Sequence, residues 1–269
     1  MVTLIIPTYR NPEYLDICIK SALEGQKNEN EIIVAVDGFL SESEEVLGQY
    51  TGKIKVLDLV ENQGMQTALN LAVYNASNER LLIINDDNVL CKDWDVAVNE
   101  DLTENSILTI NQIEPTGPGI FNFPVKDFGR TPAEFDYGGF IAHEVQIRDD
   151  YKTFEGGIFP FALFKKDYMT VGGFDTQYQS PFICDWDFFL KLELLGRHFY
   201  RTFRAHFYHF GSTATKNGKE GEKFKATEGP AAQLFTYKWG FPPQLFKNAT
   251  NNYSHNPKND RTIKGIRYE

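Results

Sequence analysis

The stretch LLIINDDNVL, residues 81–90, decides the fold of this chain. Its first four residues form a short apolar run bounded by turn-forming polar residues, which predicts a strand buried on both faces of an α/β sheet. The run leads into Asn85, Asp86, Asp87 and Asn88. Because ligands of open α/β sheets bind beyond the carboxyl ends of the strands, these two adjacent carboxylates stand where a ligand would lie.

The pair Asp86 and Asp87 has two explanations. Neighbouring carboxylates repel each other and are costly to place near a protein interior unless a cation neutralises them. Hard oxygen ligands favour Mg²⁺ or Mn²⁺, which proteins commonly hold with one or two carboxylates plus substrate phosphates. The pattern therefore predicts a divalent metal site. An acidic turn that caps the next helix explains this short pattern equally well.

Composition and charge narrow the class of protein. With 269 residues, 42% of them apolar, the chain is long enough for one large α/β domain. Its formal net charge is -10, with 37 acidic and 27 basic residues. This balance disfavours a broad nucleic-acid footprint and an anionic membrane surface. We therefore expect neither as a partner.

The cysteines and the apolar runs bear on location. Cys18, Cys91 and Cys184 are far apart and lack CxxC or Cys/His metal spacing, so a disulfide scaffold is not expected. The apolar run at residues 2–7 is too short for a signal peptide, and no stretch is long enough to span a bilayer. We expect a cytoplasmic protein without a transmembrane segment.

Strands and helices alternate along the first part of the chain. Besides the stretch at 81–84, strands are predicted at residues 2–7, 31–37, 54–59 and 106–112. Helices are predicted from an N-cap at Asn11 to about residue 23, from a capping box at 41–44, over 65–76 and over 92–101. This order predicts a mostly parallel sheet with helices on both faces.

The second part is less regular. Prolines and glycines over residues 114–131 predict a long connection, and 132–147 is partly helical. The pattern predicts a strand at 158–164, a helix at 185–195 and two short strands at 197–203 and 205–209. Many aromatic residues lie here and could line a pocket, although burial in the core is their commoner fate. Residues 216–225 should be flexible, and the chain from about 248 lacks periodicity.

Neither GxGxxG nor GxxxxGK[ST] occurs in the chain. A dinucleotide Rossmann site and a P-loop are therefore poorly supported. A nucleotide would have to be held by side chains and a metal instead of a glycine loop.

Seven segments in one order now point to a family: LIIPTYRN, VDGFLSES, ENQGMQTALNLA, LLIINDDN, VGGFD, CDWDFFLKLELLG and YHFGS. In this order the chain resembles a family 2 glycosyltransferase of the GT-A fold, over residues 2–213. The resemblance implies a domain at 1–213, with a Rossmann-like nucleotide-sugar-binding half at about 1–112 and an acceptor-binding half at about 113–213. Residues 214–269 would form a flexible lid and a C-terminal extension.

The resemblance assigns roles to the acidic turn. Asn85, Asp86 and Asp87 stand at the family's DxD motif, with Asn in the first position. The resemblance makes Asp87 the leading ligand of Mn²⁺ or Mg²⁺ and leaves Asp86 to face the ribose or the metal. His209 matches a histidine that reaches the metal or the diphosphate in some relatives, although a histidine among aromatic residues is as often packed in the core.

The resemblance also implies a donor site. Pro7, Thr8 and Tyr9 match the loop that lines the base, and Asp37 matches the acid that contacts the nucleoside. Asn62, in the turn before the third helix, joins this set. The alternative for Asp37 is a structural role as a helix-capping or turn acid before Gly38.

On the acceptor side, Asp185 matches the general base that takes the proton from the acceptor hydroxyl, and Cys184 stands where the family often has Glu. Asp187 lies two residues further on, where capping or orienting the helix explains it better. Gly173, Trp186 and Asp187 complete the expected acceptor site, although packing explains Trp186 nearly as well. Lysines of 216–225 could meet the diphosphate when a lid closes.

The sequence thus predicts a metal-dependent, inverting glycosyltransferase that moves a sugar from a nucleotide donor, foremost a UDP-sugar, to a hydroxyl of a saccharide or glycoconjugate. Polysaccharide biosynthesis is the expected setting. Two alternatives stay open. One is a nucleotidyltransferase acting on sugar phosphates. The other is a non-catalytic nucleotide- or carbohydrate-binding relative, because Asn85 and Cys184 replace acids of the family.

Overall fold

The computed structural model describes residues 1–117, 123–211 and 218–246, with side chains from 221 in the last range. The strands are β1 (Val2–Thr8), β2 (Glu31–Val36), β3 (Lys55–Asp58), β4 (Arg80–Ile83), β5 (Asn88–Val89), β6 (Ser106–Ile113), β7 (Lys152–Thr153), β8 (Phe161–Phe164) and β9 (His198–His209). The helices are α1 (Pro12–Gly25), α2 (Leu40–Gly48), α3 (Met65–Tyr74), α4 (Trp94–Asp101), α5 (Tyr137–Ile147), α6 (Lys165–Thr170), α7 (Cys184–Leu194) and α8 (Gly218–Trp239).

The described strands form one mixed sheet in the order β3-β2-β1-β4-β8-β6-β9-β5, with β7 paired to β9. β1 pairs in parallel with β2 and β4, β2 with β3, and β6 with β9. β8 lies antiparallel between β4 and β6, so β6 and β9 run in the same direction as the first four strands. The predicted sheet of mostly parallel strands is confirmed.

Helices cover both faces of this sheet. On one face, Leu4 and Ile6 of β1 pack with α1 and with Trp94 of α4. On the other face, Ile5 packs with α3 and with the aromatic residues of α7. Alternate residues of β1 therefore enter different cores, because side chains along a strand point to opposite faces. The predicted two-sided α/β architecture is confirmed.

The aromatic residues of the second half build the core on the α7 face. Phe174 and Phe188 stack with ring centroids 4.3 Å apart, and Phe161 meets the edge of Phe189 at 4.9 Å. All four are buried. Aromatic pairs of this kind contribute stability beyond their buried area. Packing in the core therefore explains these four residues, and an aromatic-walled pocket does not.

Two helix starts differ from the prediction. The capping box at 41–44 is wrong, because α2 already begins at Leu40 and follows Phe39, whose φ is 58°. Asn11 does precede α1, but its side chain makes no capping hydrogen bond. It binds a carboxylate in another part of the chain, as described below.

The two short strands predicted near residue 200 are one strand, β9. Its pairing with β6 shifts register between Ile110 and Asn111, which pair with Thr202 and His206. Residues 203–205 are therefore extra on the β9 side. Such an irregularity bends a strand without ending it. The sequence pattern is interrupted at these residues, and it therefore predicts two strands.

The predicted flexible segment at 216–225 is helical from Gly218 onward, as the first part of α8. Residues 118–122 of the long connection, residues 212–217 and the C-terminal segment 247–269 lie outside the described residues. Within the described part of the chain, no helix is both long and apolar enough to cross a membrane.

Adjacent glycines give a stability prediction. Gly172 and Gly173 both have positive φ, at 76° and 66°. A Cβ on Gly172 meets nothing within 4 Å, whereas a Cβ on Gly173 would lie 2.4 Å from Oδ1 of Asn70. That oxygen accepts hydrogen bonds from the Tyr168 hydroxyl at 2.7 Å and from the Phe174 N–H at 2.9 Å.

We expect Gly172→Ala to lower the free energy of unfolding by about 1–2 kcal/mol, the cost of left-handed backbone. Gly173→Ala should cost about 1–3 kcal/mol more, because it also displaces a buried acceptor from its donors. Urea denaturation of the two variants measures both values. Equal losses would show that Asn70 moves aside freely.

Candidate active site at the carboxyl edge of the sheet

The carboxyl ends of β1, β2 and β4 meet at one edge of the sheet. Thr8 pairs with Val36, and Ile5 pairs with Ile83. The pairing continues past β2, because the Asp37 N–H donates to the carbonyl of Thr8 at 3.0 Å. The predicted donor residues that follow these strands therefore lie side by side.

The acidic turn after β4 is closed by its own asparagines. The Asn85 N–H donates to Oδ1 of Asn88 at 3.1 Å, and the Asn88 N–H donates to the carbonyl of Asn85 at 3.3 Å. The Asn88 side chain is fully buried and also reaches the carbonyl of Tyr208 in β9. This closed turn fixes Asp86 and Asp87 between its two ends.

Asp86 ties the turn to the loop after β1. Its carboxylate accepts hydrogen bonds from the Thr8 hydroxyl at 2.7 Å and from the Asn11 amide at 3.1 Å. Burial and then the charge of Asp87 raise the pKa of Asp86 to about 7, against the hydrogen bonds from Thr8 and Asn11. The negative charges of Asp86 and Asp87 would stabilise a cation bound beside them.

Asp87 lies beside His209 at the end of β9. Oδ1 of Asp87 is 3.5 Å from Nε2 of His209, and Oε1 of Glu114 is 3.0 Å from Nδ1 of the same ring. The side chains of Asp87 and His209 are 6% and 9% exposed, so both are nearly withdrawn from solvent. The predicted metal ligands, Asp87 and His209, are therefore neighbours.

The side chains of Asp87 and His209 are suitable ligands for a divalent cation. An octahedral ion with ligands at about 2.1 Å places neighbouring ligand atoms about 3 Å apart. The 3.5 Å between Oδ1 and Nε2 is close to that separation. Among the described residues, no group of three or more His, Cys, Asp or Glu side chains could hold a metal ion. The remaining ligands would be diphosphate oxygens and water, as is usual for Mg²⁺.

Asp37 holds the turn before α3. Its carboxylate accepts from the Gln63 N–H at 2.7 Å, from the Gly64 N–H at 3.0 Å and from the Asn62 amide at 3.2 Å. Burial raises the pKa of Asp37, against the hydrogen bonds from Gln63 and Gly64. The predicted donor residues Asp37 and Asn62 thus bind each other, and Asp37 holds the distant turn at 62–64.

Asp185 lies in the first turn of α7, where its Oδ1 accepts from the Trp186 N–H at 3.0 Å. Its neighbour Cys184 is fully buried, and burial raises the pKa of the thiol well above its usual value. Gln66 of α3 donates to the carbonyl of Ser180, four residues before α7, at 2.5 Å. The segment at 62–66 therefore contacts both the end of β2 and the segment that leads into α7.

The contacts of Asp187 lie inside the protein. It is fully buried and accepts from the Trp239 indole N–H at 2.8 Å and from the Tyr178 hydroxyl at 3.3 Å. Its carboxylate also lies 2.8 Å from Nζ of Lys238 and 3.7 Å from Nζ of Lys191. Asp187 anchors α8 to α7, and in this structure its side chain is not open to an acceptor.

This anchor gives a second stability prediction. Asp187→Ala should lower the free energy of unfolding by about 3–5 kcal/mol, because it leaves the largely buried Lys191 without its carboxylate and the Tyr178 hydroxyl without its acceptor. Asp185→Ala, two residues earlier, should cost about 1 kcal/mol or less, the value of an acid in a first helical turn. Urea denaturation compares the two. Equal losses would contradict the assignment of Asp187 as an anchor.

The other residues predicted to bind the acceptor substrate have structural roles. Gly173 is buried, donates its N–H to the carbonyl of Tyr168 at 2.9 Å and accepts from Nζ of Lys191. Trp186 is partly buried and packs against the core on the α7 face. Packing accounts for both residues in this structure.

The loop after β1, predicted to line the base, carries an aromatic contact that the sequence did not suggest. Pro7 is buried within β1, whereas Tyr9 is half-buried and meets Phe39 at 5.8 Å and Phe224 at 6.2 Å between ring centroids. Phe224 belongs to α8, so this helix reaches the donor side of the edge. The guanidinium of Arg10 lies 4.7 Å over the ring of Phe39.

Sequence reasoning missed Asn11, Gln66 and Glu114. A signal existed for Glu114, because it is the first charged residue after the buried strand β6, as Asp37 and Asp86 are after β2 and β4. Asn11 and Gln66 are polar residues in helical segments, and only their contacts across the chain distinguish them.

Comparison with solved structures identifies the fold as that of the GT-A glycosyltransferases. S. aureus TarS 1-349 aligns with a TM-score of 0.57 and 18% identity, covering 89% of this chain and 74% of that one. The same TarS fragment in complex with UDP-GlcNAc aligns at 0.56 and 16%, covering 90% and 74%. GalNAc-T7 with UDP, GalNAc and Mn²⁺ aligns at 0.58 and 13%, covering 78% and 43%.

The chain belongs to glycosyl transferase family 2, whose model matches residues 3–171. It is a glycosyltransferase. The match includes Asp37, Asp86 and Asp87, whereas Asp185 and His209 lie beyond it. A search of curated proteins gave no significant match.

Proposed function

We propose that this glycosyltransferase is metal-dependent and inverting, and that it moves a sugar from a UDP-sugar to a hydroxyl of a saccharide or glycoconjugate. One observation carries the proposal. Asp87, in the turn before β5, and His209, at the end of β9, bring a carboxylate oxygen and an imidazole nitrogen within 3.5 Å at the carboxyl edge of the sheet. A divalent cation bound there would neutralise the charge of the departing diphosphate.

Asp185 is the base of this reaction. Its carboxylate takes the proton from the acceptor hydroxyl while the acceptor oxygen bonds to the anomeric carbon. The bond from that carbon to the diphosphate breaks, and the nucleoside diphosphate leaves with the electron pair. A single displacement of this kind inverts the configuration of the anomeric carbon.

The turn at 62–66 supports placing Asp185 near the donor. Gly64 donates its N–H to Asp37 at the end of β2, and Gln66 donates to the carbonyl of Ser180 in the segment just before α7. The helix that carries Asp185 is thus joined through one short segment to the strands that carry the donor residues.

The proposal of a UDP-sugar donor draws on the similar TarS structures in complex with UDP and with UDP-GlcNAc. Tyr9, half-buried beside the exposed ring of Phe39, offers an aromatic surface for a base. In this proposal residues 1–112 bind the donor and 113–213 bind the acceptor. The setting would be the synthesis of a polysaccharide.

The first part of α8 would act as a lid, because Phe224 of this helix contacts Tyr9. Lys223 and Lys225 are exposed on this helix, where they could meet the diphosphate on closure. We expect UDP with Mn²⁺ to slow cleavage by trypsin after these lysines. An unchanged cleavage rate, followed by mass spectrometry, would contradict the lid.

Incubation with a panel of nucleotide sugars, with and without Mn²⁺, tests the function. A glycosyltransferase releases nucleoside diphosphate, by transfer or by slow hydrolysis, and here the release should need Mn²⁺ and be fastest with a UDP-sugar. The two rival functions give other results. A nucleotidyltransferase requires a nucleoside triphosphate, and a non-catalytic relative binds nucleotide without releasing any product.

A further inference from the structure

Glu114 has no part in the reaction described above, yet its carboxylate faces the second ring nitrogen of His209. We propose that Glu114 is a positioning residue: it holds His209 in the tautomer protonated at Nδ1 and turns Nε2 toward Asp87, so that the two atoms can bind one divalent cation. This inference rests on the proposed metal-dependent function and adds a residue to the same site.

The sheet brings the two carboxylates to His209 from opposite sides. β9 lies between β6 and β5. In these pairings Ile113 lies beside Tyr208, and Asn88 lies beside His209. Glu114 follows Ile113 and Asp87 precedes Asn88, so each acid is one residue from a strand that flanks β9.

Hydrogen bonds fix the backbone of Glu114 at both its N–H and its carbonyl. Its N–H donates to the carbonyl of Pro124 at 3.1 Å, and its own carbonyl accepts from the Lys126 N–H at 3.0 Å. The segment at 123–126 therefore continues the pairing of β6 beyond Ile113. A carboxylate carried on such a backbone has a defined position relative to the imidazole, with little ordering left to do when an ion binds.

The contact at Nδ1 selects the tautomer. A neutral imidazole donates from one nitrogen and accepts at the other, whereas a carboxylate only accepts. With Oε1 of Glu114 at 3.0 Å, Nδ1 is the donor, and the lone pair is on Nε2. The lone pair on Nε2 is not attracted to the Asp87 oxygen, which is 3.5 Å away. A cation between Nε2 and this oxygen would be bound by both. Histidine ligands of metals typically donate their other N–H in this way.

A permanently charged imidazolium between two carboxylates is the rival arrangement. It would have an N–H on both nitrogens, would bind both acids without a metal, and would make Glu114 a structural residue only. The two arrangements differ in the proton on Nε2, which can be observed directly.

The first test measures Mn²⁺ binding in the presence of UDP, by the electron paramagnetic resonance signal of free Mn²⁺. Glu114→Ala should raise the Kd for Mn²⁺ about 10- to 100-fold. Glu114→Gln should have a smaller effect, because its amide oxygen still accepts from Nδ1, and it serves if the alanine variant fails to fold. His209→Ala should also weaken binding, and adding Glu114→Ala to it should cause no further loss.

The double variant separates positioning from direct ligation. If the two losses add, Glu114 is itself a ligand and the proposal is wrong; it is also wrong if Glu114→Ala leaves the Kd unchanged. If the wild-type protein transfers sugar but Glu114→Ala binds Mn²⁺ normally, only this inference fails. If the wild-type protein shows no Mn²⁺-dependent UDP binding, the proposed function fails with it.

The second test needs no metal. ¹⁵N nuclear magnetic resonance of the imidazole of His209 in the metal-free protein should show a proton on Nδ1 and none on Nε2. Glu114→Ala should shift the tautomer population toward Nε2–H. An imidazolium in the wild-type protein at neutral pH, or an unchanged tautomer in the variant, would overturn the proposal.

Discussion

Replacing Asp185 by alanine should lower the rate of sugar transfer by about 10²- to 10⁴-fold, the usual contribution of a general base. The loss follows because no other group would accept the proton of the acceptor hydroxyl in the proposed reaction. The measurement is the rate of nucleoside diphosphate release at saturating donor and acceptor. Binding of UDP with Mn²⁺ should stay within a few-fold of wild type, since Asp185 does not hold the donor.

The matched control is Asp187→Asn. The asparagine keeps the shape of the side chain and an acceptor for Trp239 and Tyr178. We expect this variant to lose stability but to keep transfer at temperatures where it is folded. Transfer at nearly the wild-type rate by Asp185→Ala would remove Asp185 from the role of base.

Replacing Asp87 by asparagine should abolish the effect of Mn²⁺ on UDP binding and lower transfer by at least about 10²-fold. Asparagine occupies the same space but lacks the charge that holds a cation beside His209. Calorimetric titration of UDP with and without Mn²⁺ measures the first effect, and diphosphate release measures the second.

Glu45→Gln is the control for Asp87→Asn. It removes one negative charge from the exposed surface of α2, at a residue outside the proposed site, and should leave both measurements unchanged. An Asp87→Asn variant that still binds UDP more tightly when Mn²⁺ is added would place the cation elsewhere.

The strands and most helices could be predicted because their signals are local. The apolar run at 81–84 and the alternation of strands with helices are properties of neighbouring residues. The capping box at 41–44 failed for the same reason. A four-residue pattern favours a helix start, but the helix follows Phe39, two residues before the N-cap at Ser41 that the pattern predicts.

The contacts of the site could not be predicted in the same way. Thr8 and Asp86 are 78 residues apart, and Glu114 and His209 are 95 apart, so only the sheet order brings them together. A rule about carboxyl ends of strands predicts that such residues meet at one edge. It does not say which of them bind each other, and so Asn11 was read as a helix cap.

Asp185 and Asp187 show a further limit. Both acids lie in the first turn of α7, where the helix dipole favours a negative charge. Two residues of separation turn them to different sides of the helix, and the sequence favoured a capping or orienting role for Asp187. What the sequence lacked was the partner, because Lys238 and Trp239 lie about fifty residues further along the chain.

A crystal structure with Mn²⁺ and a non-hydrolysable UDP-sugar tests the central claim most directly. We expect Mn²⁺ bound by the Asp87 carboxylate, Nε2 of His209 and diphosphate oxygens. The Asp185 carboxylate should face the anomeric carbon from the opposite side, leaving room for one acceptor hydroxyl. A structure in which Asp87 and Asp185 border separate cavities, too far apart to flank one bound sugar, would contradict the account.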